Sequence, residues 1–82
     1  MMCIKLNILF FGATADIIGK RRIEIDLPID TIASQILDKL ISDFPSLSEH
    51  RLLYSVNQQY ASGNEILADG DEIAIFTAVS GG

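Results

Sequence analysis

Residues 67–82 read "LADGDEIAIFTAVSGG", and they hold a turn, a strand and a tail in succession. Asp69 and Gly70 supply the turn, because both residue types tolerate the backbone angles that a reversal needs. Glu72, Ala74 and Phe76 then alternate with Ile73 and Ile75, the two-residue period of a strand with one buried face. Two glycines follow. Glycine is only about 7% of an average protein, so a pair in the last two positions calls for an explanation. One is a frayed end; the other is a terminus whose carboxylate is the working group.

The partner for this strand is sought at the other end of the chain. In "IKLNILFF" (4–11), Ile4, Leu6, Ile8 and Phe10 alternate with Lys5 and Asn7, and the same parity puts Leu9 and Phe11 on the outer face. "GATADIIGK" (12–20) is bounded by Gly12 and Gly19 and reads as a loop with one helical turn. "RRIEIDLP" (21–28) resumes the alternation until Pro28 stops it, giving an antiparallel hairpin with a wide connection.

Ile32, Ala33, Ile36, Leu37, Leu40, Ile41 and Phe44 recur at helical spacing, with Asp30 or Thr31 placed to cap the first turn and Pro45 to end the helix. The segment 46–67 predicts a helical turn, a strand from Leu52 to Asn57 and a shorter strand near Tyr60. No repeat, linker or low-complexity tract interrupts the chain.

This order of elements fits a single α+β domain over residues 1–82, with one main helix packed on one face of a mixed sheet and 77–82 as an extended tail. The compact arrangement with this order is the ubiquitin-like β-grasp. In it the first and last strands lie parallel and adjacent, which brings Phe11 and Phe76 together as an exposed apolar patch at the root of the tail. Patches of that kind mark binding surfaces.

Composition excludes several functions. A hydrophobic fraction of 49% supports a folded core, although 82 residues bury only a modest one. The net charge of −5 argues against nucleic acid, which demands a basic surface. One cysteine, Cys3, and one histidine, His50, allow neither an internal disulfide nor a Cys/His metal site, and fit a reducing compartment. The carboxylates of "ADGDE" lack the other ligands of a calcium loop, so no metal is expected. "KLNILFFGATA" imitates a secretory signal only loosely, and no run of residues is long and apolar enough to span a bilayer. A cytoplasmic protein without membrane contact is expected. No Lys or Arg follows Arg51, whereas Glu65, Asp69, Asp71 and Glu72 all do, which predicts an acidic field at the C-terminal end suited to a basic partner.

Catalysis by this chain alone is not indicated, since no Ser/His/Asp set and no glycine-rich phosphate loop is present. The glycine pair has a physical logic instead. Without side chains, Gly81 and Gly82 pass through a narrow channel and carry a carboxylate into an enclosed active site. A carboxylate is inert to transfer at neutral pH, so another enzyme must first activate it, most simply with ATP as an acyl adenylate.

With these residues in view, the chain resembles the small subunit of molybdopterin synthase, the MoaD-like branch of the ubiquitin-related sulfur carriers. The resemblance runs through "NILFFGATADIIG", "SVNQQYAS" and "LADGDEIAIFTAVSGG", nearly the whole chain. It implies that a MoeB-like enzyme adenylates Gly82, and that sulfur replaces AMP to leave a C-terminal thiocarboxylate, a 1-thioglycine, with no cofactor bound. It implies further that the tail enters the large, MoaE-like synthase subunit in a heterotetramer and gives sulfur to a cyclic pterin precursor. Val79, Ser80 and Gly81 would line the threaded segment, and Phe11, Tyr60 and Phe76 would form the docking surface. Many members carry two prolines where this chain has Thr77 and Ala78, which implies a less stiff tail base. A thiamin-type sulfur carrier, a ubiquitin-like modifier joined to lysines through Gly82, and a plain interaction module are the alternatives.

Overall fold

A computed structural model describes residues 2–77. Its elements are β1 (Cys3–Phe10), α1 (Ala13–Ile18), β2 (Arg22–Pro28), α2 (Ala33–Asp43), a 3-10 turn (Pro45–Glu49), β3 (Leu52–Val56), β4 (Gln59–Tyr60) and β5 (Glu72–Thr77). The strands form one mixed sheet in the order β2-β1-β5-β3-β4. β1 is antiparallel to β2 and parallel to β5, which in turn is antiparallel to β3. The architecture is the ubiquitin-like β-grasp, with α2 across one face.

Alternation sets which face is dry. Ile4, Leu6, Ile8 and Phe10 of β1 and Ile73 and Ile75 of β5 are buried, and they meet Ile36 and Leu40 of α2 together with Leu47 and Leu67. Each such side chain contributes roughly 1.5–3 kcal/mol by leaving water. β1 and β5 sit at the centre of this core, so the strand that leads into the C-terminal residues is among the best anchored in the molecule.

Three local expectations are corrected by tertiary contacts. Neither Asp30 nor Thr31 caps α2: Asp30 adopts φ 68°, and the Thr31 hydroxyl donates to the Pro28 carbonyl at 2.6 Å. The first amides of the helix instead donate to a distant loop, Ala33 N–H to the Glu65 carbonyl at 2.9 Å and Ser34 N–H to the Gly63 carbonyl at 3.1 Å. Only the Gln35 side chain, accepting the Ile32 N–H at 2.9 Å, caps locally. The stretch after Gly12 is more than one turn, being a six-residue helix that ends where Gly19 takes a left-handed φ of 82°. Thr77, assigned to the tail from sequence, is the last residue of β5 and lies opposite Leu52. Among the described residues, no helix is long and apolar enough to cross a membrane.

Candidate functional site

The sheet face away from α2 is assembled by register. Leu9 lies opposite Ala74, Ala74 opposite Ser55, Ser55 opposite Tyr60, and Phe76 opposite Leu53. Directly opposed residues share a face, and Ile73 and Ile75 point into the core. Leu9, Leu53, Tyr60, Ala74 and Phe76 therefore form one apolar area around the last strand.

The three docking residues expected from sequence all belong to this region. Phe11 follows β1, its N–H donating to the Ile75 carbonyl at 3.1 Å, and is 51% exposed. One further step of the β1–β5 register sets its backbone beside that of Phe76. The ring that meets Phe76, however, is that of Tyr60, with centroids 6.0 Å apart and a 59° tilt. Tilted aromatic pairs at this separation are favourable beyond the area they bury. Tyr60 remains 77% exposed, so it half-covers Phe76 and stays available itself.

The short helix is fastened to this end of the sheet by one buried side chain. The Thr14 hydroxyl lies 2.7 Å from the Phe11 carbonyl and 3.0 Å from the Ile75 carbonyl, sharing its proton between them, and accepts the Phe11 N–H at 3.1 Å. Beside it a solvent-open hollow of about 570 Å3 is lined by Leu9, Phe10, Phe11, Gly12, Ala15, Asp16 and Arg21.

At the opposite end of β5, the "VNQ" segment has a structural task. Asn57 and Gln58 take φ 50° and 72°, making a tight reversal from β3 to β4. The Asn57 amide group donates to Asp71 at 3.0 Å, and its oxygen accepts the Glu72 N–H at 3.0 Å. The Asn57 N–H donates to the Glu72 carbonyl at 2.8 Å. Asparagine alone offers a side-chain donor, a side-chain acceptor and tolerance of the left-handed region at this length. The segment thus fixes where β5 begins.

Charge falls differently from the sequence expectation. Asp69, Asp71 and Glu72 lie where β5 starts, about 17 Å from Thr77 at the usual rise per strand residue. The backbone near the far end of β5 carries basic residues instead: the Arg21 carbonyl accepts the Phe10 N–H, and Arg51 precedes the residue paired with Thr77, while the Arg22 guanidinium turns back to donate to Asn7 Oδ1 at 3.1 Å. The error came from reading sequence proximity as spatial proximity, since a strand carries its two ends apart.

One group in the loop before β5, Glu65, and one on β3, Tyr54, have shifted pKa values. Amide hydrogens of Ser62 and Gly63 point at the Glu65 carboxylate, at 2.7 and 2.9 Å, and hold its pKa down at about 2. Burial pushes the Tyr54 phenol up, with Glu65 and Asp38 adding to the shift. Neither group lies on the apolar face, and the Glu65 carboxylate ties together the loop whose carbonyls cap α2.

Val79, Ser80, Gly81 and Gly82 lie outside the described residues. Leu9, Leu53 and Ala74 are the site residues that were not singled out in the sequence. Parity alone put Leu9 on this face, but adjacent Leu52 and Leu53 give no parity signal, and only the pairing with Phe76 assigns Leu53 outward.

A β-grasp sheet with an apolar face around its last strand defines the class of ubiquitin-like proteins. The chain belongs to the ThiS family, which it matches over residues 8–82. It is 35% identical over 82 residues to the molybdopterin synthase sulfur carrier subunit of Mycobacterium tuberculosis (strain ATCC 25618 / H37Rv), covering 96% of this chain and 99% of that one. The crystal structure of SAMP1 from Haloferax volcanii superposes with a TM-score of 0.81 at 28% identity, covering 95% of this chain and 99% of that one. A protein-protein complex of subunits 1 and 2 of the molybdopterin-converting factor from Helicobacter pylori 26695 contains a chain of the same fold, with a TM-score of 0.68 at 22% identity, covering 96% and 100%.

Proposed function

We propose that this chain is a sulfur carrier of molybdenum cofactor biosynthesis, the small subunit that brings sulfur to molybdopterin synthase. The observation that carries the reading is full-length similarity to a sulfur carrier subunit, joined to an apolar face around the strand that leads to Gly81 and Gly82.

In this reading an adenylating enzyme of the MoeB type joins the Gly82 carboxylate to AMP and releases pyrophosphate. A sulfur donor then displaces AMP, leaving a thiocarboxylate. That group is ionised and nucleophilic at neutral pH, so its sulfur can attack the cyclic pterin precursor inside the large subunit. Water cleaves the resulting acyl–sulfur bond and returns Gly82 to carboxylate. The dithiolene has two sulfur atoms, so two carrier turnovers serve each product. Gly81 supplies clearance, Val79 and Ser80 line the threaded segment, and the chain itself binds no cofactor.

Docking rests on Leu9, Phe11, Leu53, Tyr60 and Phe76, an apolar area that a large-subunit surface would cover in a heterotetramer. The test is reconstitution with the large subunit and the pterin precursor. Thiocarboxylated chain should support dithiolene formation, and chain lacking residues 81–82 should support none; equal conversion by both would overturn the proposal.

The similarity to SAMP1 favours a second reading, in which activated Gly82 is passed to lysine amines as an isopeptide. Covalent adducts of the intact chain in cell extracts would support it. A thiamin-type carrier would load sulfur in the same way and fail to convert the pterin precursor.

A further inference from the structure

β2 is an edge strand, and its free side is charged in a self-complementary order. Which backbone groups point outward follows from two hydrogen bonds. Phe10 N–H donates to the Arg21 carbonyl at 2.9 Å, and Ile29 N–H to the Met2 carbonyl at 3.4 Å. Hydrogen-bonded pairs recur at every second residue of an antiparallel ladder, so the odd residues from Arg21 to Ile29 face β1. The backbone groups of Arg22, Glu24 and Asp26 therefore face away from it, and among the described residues no strand lies beyond β2.

A second copy approaching antiparallel can hydrogen-bond only by placing these even residues opposite one another. Five registers satisfy that condition, and those with Arg22 opposite Arg22 or Asp26 opposite Asp26 set like charges together on the axis. Glu24 opposite Asp26 sets acid against acid, and Arg22 opposite Asp26 leaves Glu24 facing its own copy. Arg22 opposite Glu24 avoids both, and also sets Lys20 opposite Asp26, so that the two-fold axis creates four pairs of opposite charge. Opposed residues share a face, so these pairs lie together on the helix-free side. On the other side the register puts Ile23 against Ile23 at the axis. Ile23, Ile25 and Leu27 are only half-buried at the edge of the core, which this pairing would extend.

We infer that β2 is a self-association edge, on which two copies of this chain join antiparallel, Arg22 against Glu24, into one continuous sheet. Charges on an edge strand ordinarily deter such pairing. Here Arg22 opens the strand, with Lys20 just before it, and the acidic Glu24 and Asp26 follow, so inversion by the two-fold axis turns deterrence into registration. β1 separates this edge from β5, leaving the apolar face free for another partner.

Sedimentation of the full chain as a function of concentration, at low and high salt, tests the inference. The chain should dimerise below about 1 mM, more weakly as salt screens the four pairs. Glu24→Lys should weaken association at least about tenfold, and the exchange Arg22→Glu with Glu24→Arg should restore it. In a Cys3→Ser background, Ile23→Cys should form an intermolecular disulfide on mild oxidation, because unbonded antiparallel pairs sit about 4.5 Å apart between Cα atoms, within disulfide range. A chain that stays monomeric and uncrosslinked, or a dimer indifferent to Glu24→Lys or not rescued by the exchange, would overturn the inference.

Discussion

The Thr14 hydroxyl lies 3.0 Å from the carbonyl of Ile75, joining a six-residue helix to the strand that leads to the C-terminal residues. Thr14 has no exposed surface, and its oxygen also meets both backbone groups of Phe11. The end of β1 and the end of β5 are thus held by one side chain sixty-one residues from its partner. Thr14→Val keeps the shape and removes these hydrogen bonds, taking the hydroxyl donor from the Phe11 carbonyl while the Phe11 N–H and the Ile75 carbonyl keep each other at 3.1 Å. It should destabilise the fold by about 1–3 kcal/mol in denaturant titration; an unchanged midpoint would mean that water satisfies the Phe11 carbonyl.

Phe76 is the residue on which docking should depend most, because it lies opposite Leu53 and meets the Tyr60 ring. Phe76→Asp places a charge at the centre of the apolar face and should weaken binding to the large synthase subunit by more than about tenfold in calorimetry. Tyr60→Ala should weaken it less, since the exposed ring lies toward the rim. Equal affinity of wild type and Phe76→Asp would show that the partner contacts another surface.

Glu65 makes stability depend on acid. Its pKa falls from 4.5 to about 2 on folding, so its contribution is complete above about 4.5 and is lost as pH drops toward 2. Thermal unfolding followed from about pH 6, above that window, down to its lower edge near 2 should show a decline that Glu65→Gln largely flattens. A wild-type and a Glu65→Gln curve that remain parallel would contradict the assignment.

Gly63 tests the same loop by shape. It sits at φ +110°, and an added Cβ would lie 3.1 Å from the Tyr54 hydroxyl. Gly63→Ala should therefore cost about 1–3 kcal/mol of stability while leaving sulfur loading unaffected.

Much of this architecture is legible from alternation. The parity of Ile4 to Phe10 and of Ile73 to Ile75 identifies the two central strands, and the order of elements, that of a β-grasp, makes them a parallel pair. Phe11 and Phe76 take the outer parity for the same reason. What sequence does not disclose is long-range pairing. The cap of α2 comes from Glu65 and Gly63, about thirty residues away, so the local candidates Asp30 and Thr31 mislead. Leu53 becomes part of the site only through its register with Phe76, and the acidic cluster moves to the far end because β5 intervenes. The ring contact made by Phe76 is likewise set by a two-residue strand, β4, whose register depends on the turn at Asn57 and Gln58.

The central claim is that Gly82 receives sulfur. Its most direct test is the intact mass of the chain after incubation with ATP, an adenylating enzyme of the MoeB type and a sulfide source. The account predicts a gain of about 16 Da, one oxygen exchanged for sulfur, mapped to Gly82 by fragmentation. No gain, with the same enzyme shown competent on another carrier, would contradict it and leave the terminal glycines as a binding tail.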